Sequence, residues 1–239
     1  MNHLKIPLKL STLLFVVVCF TIQVLFPAAP AIAQSTDTSA SPSGPIQDAV
    51  VYVCDIDEDI FKPAYRKFSR ALEEATAMKA DVIVMRLNTY GGAVDVADDM
   101  RTELLNLPIP SIVYITNNAA SAGALISLAC DSIYMMPGST IGAATVVNQS
   151  GEQVPDKYQS YMRKKMRATA EETGRDPDIA EAMVDPHKVV PGISDSGKVV
   201  TFTTKEAIKY GFCEAEVSNI QEALRHAGIV HYTITRQKL

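Results

Sequence analysis

The chain has 239 residues and a formal net charge of −5, with 47% hydrophobic and 21% charged residues. These proportions belong to a globular protein and exclude a disordered, collagen-like or disulfide-scaffold chain. The acidic balance argues against a nucleic-acid partner, because phosphate binding needs a cationic surface.

The N-terminus reads as an address. Lys5 and Lys9 precede an almost wholly apolar run over residues 10–26, and PAAPAIAQ follows over 27–34. A basic start, an apolar stretch and Ala31-Ile32-Ala33 predict a secretory signal over 1–33, cleaved before Gln34. An uncleaved single-span anchor is the alternative, since this run of 17 residues approaches the span length. Either way the remainder is expected outside the cytoplasm, in the periplasm or at the outer face of the membrane, with membrane association through this segment. Residues 34–46 are Ser/Thr/Pro-rich and predict a flexible linker. The domain is expected over 47–239.

The rest alternates strand-like and helix-like runs. Strands are expected at 50–54, 81–87, 110–116, 132–136 and 199–203. Helices are expected at 63–79, 93–106, 121–130, 156–173, 204–210 and 220–226. In the first helix Ala64, Phe68, Ala71, Leu72 and Ala75 share one face, and SAGALISLAC is apolar all round, as a buried helix would be. This alternation predicts an α/β fold with a mainly parallel sheet covered by helices. Cys54, Cys130 and Cys213 sit beside apolar residues and read as buried free thiols, with one disulfide as the alternative. His187, His226 and His231 show no ligand spacing, so a zinc site is not expected, and the serine chemistry considered below needs no metal or cofactor. GISDSGK at 192–198 has the glycine and lysine spacing of a phosphate loop but is followed by Val199 and a strand-like run, so it reads as a turn.

Three features stand where the chain leaves consecutive strands or enters a helix. Asn88-Thr89-Tyr90-Gly91-Gly92 follows one strand, and paired glycines there can present N–H groups to an oxyanion or make a plain turn. Asn117-Asn118-Ala119-Ala120-Ser121-Ala122-Gly123 follows the next. Ser121 could cap its helix or act as a nucleophile among small neighbours, with the Ala122 N–H as an adjacent oxyanion donor. Lys157 opens the charged helix, where the helix dipole opposes its charge and favours the neutral amine that a base must be. A solvated lysine is the plain alternative, and His187 is another candidate base.

These residues resemble the ClpP/crotonase superfamily, specifically membrane-associated ClpP-class serine proteases such as the NfeD N-terminal domain and, more distantly, signal peptide peptidase A. The resemblance covers roughly residues 48–230. It rests on NTYGGAVDVADDM, AASAGALISLACDSIYMMPGSTIGAATVV, ATAEETGRDPDIAEAMV and TTKEAIKYGFCE. It implies a ClpP/crotonase-like fold in one domain. It implies an oxyanion hole from Gly91, Gly92 and Ala122, with Tyr90 where the family has proline. It makes Ser121 the nucleophile. Counting back 17 residues from Gly174 to the family lysine reaches Lys157, 36 residues after Ser121. The implied activity is a serine endopeptidase with a Ser–Lys dyad. Its partner would be an apolar polypeptide from membrane proteins or signal-peptide remnants, and the enzyme would be a homo-oligomer of at least two copies. A scaffold that keeps the fold without catalysis and a crotonase-like acyl-thioester enzyme are the rival readings.

Overall fold

The computed structural model describes residues 48–148 and 150–238. The expected signal and linker lie outside the described residues. From residue 49 the chain forms β1 (Ala49–Asp57), α1 (Lys62–Ala77), β2 (Val82–Thr89), α2 (Val94–Leu105), β3 (Ser111–Ala120), α3 (Ala122–Leu128), β4 (Ser132–Met135), β5 (Thr140–Gly142), α4 (Asp156–Glu172), α5 (Pro177–Ala182), β6 (Thr201–Thr203), α6 (Thr204–Lys209), β7 (Ala215–Glu216), α7 (Ile220–His226) and β8 (Tyr232–Arg236). The expected alternation is present. The sheet order is β6-β5-β3-β2-β1-β8, with β4 joining β3 to β7. All pairs are parallel except β5–β6.

Hydrophobic burial explains why these segments form these elements. The five apolar positions read from the first helical pattern are the five buried residues of α1, and Pro63 fits its first turn, where no intrahelical N–H is needed. All seven residues of α3 are buried. The strands read as near-continuous apolar runs because helices cover one face of the sheet and α7 covers part of the other. Gly123 lets α3 sit close on β2, since a Cβ there would come within 2.6 Å of Thr89 Cγ2.

β3 runs four residues beyond its expected end. Asn117 and Asn118 look like turn residues, yet the Asn118 N–H donates to Asn88 Oδ1 at 3.2 Å and its side-chain oxygen accepts from Thr140 Oγ1 at 3.2 Å. Side-chain amides there extend the ladder. β5, β7 and β8 are too short or too polar to announce themselves. α5 does carry a signal, with Asp176 accepting from the Asp178 and Ile179 N–H groups and Pro177 in its first turn.

Arg175 is a cation with 4% of its side chain exposed. Its guanidinium donates to the carbonyls of Leu128, Cys130 and Asp131 and to Glu214, so it fastens the C-terminal end of α3 to the turn after α4. Cys54, Cys130 and Cys213 are free and buried. Burial pushes the Cys54 and Cys213 thiols up to about 12. The glycine-rich segment 192–198 is a turn and leads into a strand, not a helix.

Asp178 joins α5 to α4 and to the following loop through Lys188 and Arg167. Their hydrogen bonds hold its carboxyl down to about 2 from 3.8. A depressed carboxyl contributes stability above its unfolded value and loses it as pH falls through the folded value. The melting-temperature advantage of wild type over Asp178→Asn is therefore expected to be full above pH 4 and to fade between about 4 and 2. A thermal-melt series from pH 7 to pH 2 measures it.

Candidate active site

The way β3 is shared creates the site. Its first half, Ile112 to Ile115, pairs with β4, and its end, Asn118 to Ala120, pairs with β5. On the other side the β2 register shifts between Leu87 and Thr89. Strand and helix then meet at Ser121 with no loop between them. Ser121 has φ 55° and ψ −116°, a backbone conformation that an L-residue adopts at a cost of about 1–3 kcal/mol. Its N–H donates to the Gly142 carbonyl at 2.9 Å. Its side chain makes no capping bond to α3, so the capping reading falls. Ser121 lines a cleft of about 390 Å³.

The double glycine sits against this serine. A Cβ on Gly91 would lie 2.7 Å from Ser121 Cβ and 3.2 Å from Oγ. A Cβ on Gly92 would lie 2.1 Å from the Ile60 carbonyl oxygen, so no side chain fits there. Ile60 braces the turn from outside: its N–H donates to the Gly91 carbonyl at 2.7 Å, and its carbonyl accepts from the Ala93 N–H at 2.9 Å. Inside the turn, buried Thr89 accepts the Gly91 N–H at 3.1 Å through Oγ1. Gly91 is therefore occupied as a donor. The N–H groups of Gly92 and Ala122 have no acceptor among the described residues. Thr89 and Ile60 were not singled out in the sequence, although Thr89 stands inside the quoted motif.

Val94, Val146, Val147, Met162 and Val199 give the cleft an apolar wall, and Tyr90, Ser121, Thr145 and main-chain groups make the rest of its lining polar. Among the described residues that line it, Tyr90 is the one with an ionisable side chain besides the Ser121 hydroxyl, and Tyr90 is 74% exposed. Lys157 does not meet Ser121. It lies in the first turn of α4, exposed, with its amine 5.8 Å from the centre of the Tyr158 ring. It lines a second, open and mostly apolar hollow of about 820 Å³ with Tyr158, Tyr161, Asp95 and Val94. Val94 is the wall common to both. His187 is exposed, lines neither hollow, and its N–H bonds to Asp185 at 2.8 Å. The expected nucleophile thus stands with two of the three expected oxyanion donors, Gly92 and Ala122; Gly91 drops out because Thr89 Oγ1 already takes its N–H, and the expected base lies on the neighbouring hollow.

The sequence matches the family described as NfeD1b, N-terminal domain, over residues 50–237. It is 33% identical over 189 residues to the membrane protein NfeD1b of Bacillus subtilis (strain 168), covering 79% of this chain and 43% of that protein. It is 31% identical over 184 residues to the membrane-bound protease PH1510 of Pyrococcus horikoshii, covering 74% of this chain and 39% of that one. The chain therefore spans about two fifths of the length of the curated relatives it matches. Among solved structures, the membrane-bound stomatin-specific protease 1510-N superposes with a TM-score of 0.71 at 26% identity, over 80% of this chain and 93% of that one. That structure is a lysine-to-alanine mutant in complex with a substrate peptide, and a serine-to-alanine mutant of the same protease superposes at 0.69. ClpP1 from Listeria monocytogenes, at 20% identity and a TM-score of 0.55 over 70% of this chain and 91% of its own, shares the fold. The fold is that of the ClpP-like proteases, and the chain belongs to the NfeD1b N-terminal domain family.

Proposed function

We propose that this domain is a serine endopeptidase in which Ser121 is the nucleophile and Lys157 the base. The observation that carries the reading is the Ser121 backbone: a strained serine lines a cleft with one apolar wall, beside two N–H groups that have no acceptor among the described residues. In the mechanism, Lys157 turns about its side-chain torsions past Val94 and reaches the hydroxyl. Its neutral amine takes the hydroxyl proton as Ser121 Oγ bonds to the scissile carbonyl carbon. The Gly92 and Ala122 N–H groups hold the resulting oxyanion. The C–N bond then breaks, Lys157 returns the proton to the leaving amine, and water releases the acyl group from Ser121.

The apolar wall suits an extended apolar segment of a polypeptide. The relative 1510-N is named as stomatin-specific and carries a substrate peptide in one structure, which makes a stomatin homologue the first substrate to try. Under this proposal the domain works outside the cytoplasm, tethered or delivered by its N-terminal segment, and assembles at least as a dimer. A second reading has its own support. Lys157 is exposed and apart from Ser121, as it would be in a domain that binds peptides in this cleft without cutting them.

A serine-reactive fluorophosphonate probe separates the two. Wild type is expected to label. Ser121→Ala should lose the signal, and Lys157→Ala should label about 10²-fold more slowly, the usual share of a general base. Equal labelling of wild type and Lys157→Ala favours the binding reading, and equal labelling of all three removes Ser121 from the chemistry. Gly92→Ala tests the oxyanion donor. Its Cβ overlaps the Ile60 carbonyl, so the turn must shift, with labelling expected to fall about 10²-fold. A companion thermal melt should show a loss of about 2 kcal/mol.

A further inference from the structure

Val146 and Val147 belong to a small hairpin that forms one wall of the Ser121 cleft. Its arms pair through Val147 and Gln153, the Asn148 N–H donates to the Glu152 carbonyl at 2.8 Å, and the Val154 N–H donates to the Val146 carbonyl at 3.2 Å. Among the described residues, no strand of the main sheet pairs with this hairpin. Val147 is 50% exposed, and Val146 is only partly buried where it packs on the main core, so burial holds the Val147 side of this wall weakly. One side chain of α4 takes the place of a strand neighbour. Gln159 is 8% exposed, unusual for a long polar residue on a charged helix. Its Oε1 accepts the Val146 N–H at 3.0 Å, and its Nε2 donates to the Val146 carbonyl at 2.6 Å and more distantly to the Val154 carbonyl at 3.5 Å. Both backbone groups of a single cleft residue are thus read by one carboxamide. Gln159 stands two residues after Lys157 and three before Met162, whose side chain enters the same cleft.

We infer that Gln159 is a positioning residue for peptide binding: by pairing with Val146 as an adjacent strand would, it holds the hairpin wall at the spacing from Met162 and Val94 that an extended apolar peptide needs. The inference rests on the peptide-cleft reading of the Ser121 site. It goes beyond it by placing the determinant of peptide affinity in a side chain that touches neither the peptide nor Ser121. Loss of the carboxamide leaves the Val146 N–H without its partner and frees the wall.

The test uses two readouts on the full chain. The first is the dissociation constant of a fluorescent heptapeptide of valine, leucine and methionine, measured in a Ser121→Ala background. The second is the fluorophosphonate labelling rate in the Ser121 form, because this small probe does not need the hairpin wall. Gln159→Leu removes all three bonds. Gln159→Glu keeps the shape and the acceptor for the Val146 N–H and loses the donor. Both are expected to weaken the peptide tenfold or more while labelling stays within threefold. Unchanged peptide affinity in either folded variant overturns the inference. So does a parallel fall of both readouts, or failure of both variants to fold, since each would make Gln159 a plain stability residue. If the Ser121→Ala protein binds no peptide, the inference fails while labelling still tests the catalytic reading. If the peptide binds in a Gln159-dependent way and wild type never labels, the peptidase reading fails and the inference stands.

Discussion

The site depends on one backbone constraint, the left-handed turn of the chain at Ser121. A non-glycine residue stays in that region only when its surroundings leave it no better choice. Here the choice is removed from both directions. Upstream, β3 is gripped to its last residue by β5, and the Ser121 N–H is bound to Gly142. Downstream, α3 is buried on every side and cannot rotate to relieve the angle. Gly91 then packs on the serine side chain so closely that a methyl group would not fit. The stability of the surrounding core thus sets where one hydroxyl points, which is the arrangement a nucleophile needs and a helix cap does not.

The other end of α3 is held by charge rather than by packing. The last carbonyls of a short buried helix lack intrahelical partners, and leaving them bare in the interior is costly. Arg175 supplies five donors in a fixed fork and meets the Leu128 carbonyl at the end of α3 and the Cys130 and Asp131 carbonyls just beyond it, with Glu214 as counter-ion. Burial raises the Glu214 carboxyl, with Arg175 among the groups that oppose the rise. The helix that starts at the strained serine is therefore pinned at both termini, once by a strand and once by a guanidinium reaching across from the turn after α4.

Much of this was legible in the sequence because the deciding signals are local. The apolar face of α1, the all-apolar α3 and the Gly-Gly after β2 are patterns of burial and backbone freedom that need no distant partner to be read. What escaped depends on partners far along the chain. The extension of β3 through two asparagines needs Asn88 and Thr140, and β5, three residues long, is held between that extension and β6. The bracing of the double glycine by Ile60 joins residues more than 30 apart. Lys157 shows the limit most clearly. A position in the first turn of a helix can be counted from the sequence, but the direction of its flexible side chain cannot, and in the structure it turns toward Tyr158.

The order of the sheet carries a further consequence. β1 lies between β2, its near neighbour in sequence, and β8, which arrives about 180 residues later. While the chain is still emerging from the ribosome, one edge of β1 therefore stays open, presenting an apolar strand with unpaired main-chain groups to whatever is nearby. Contacts closed so late also slow the search for the native state. The nascent domain has to be shielded until its last strand is made, and a chain stalled before Tyr232 would be left with that edge ready to aggregate.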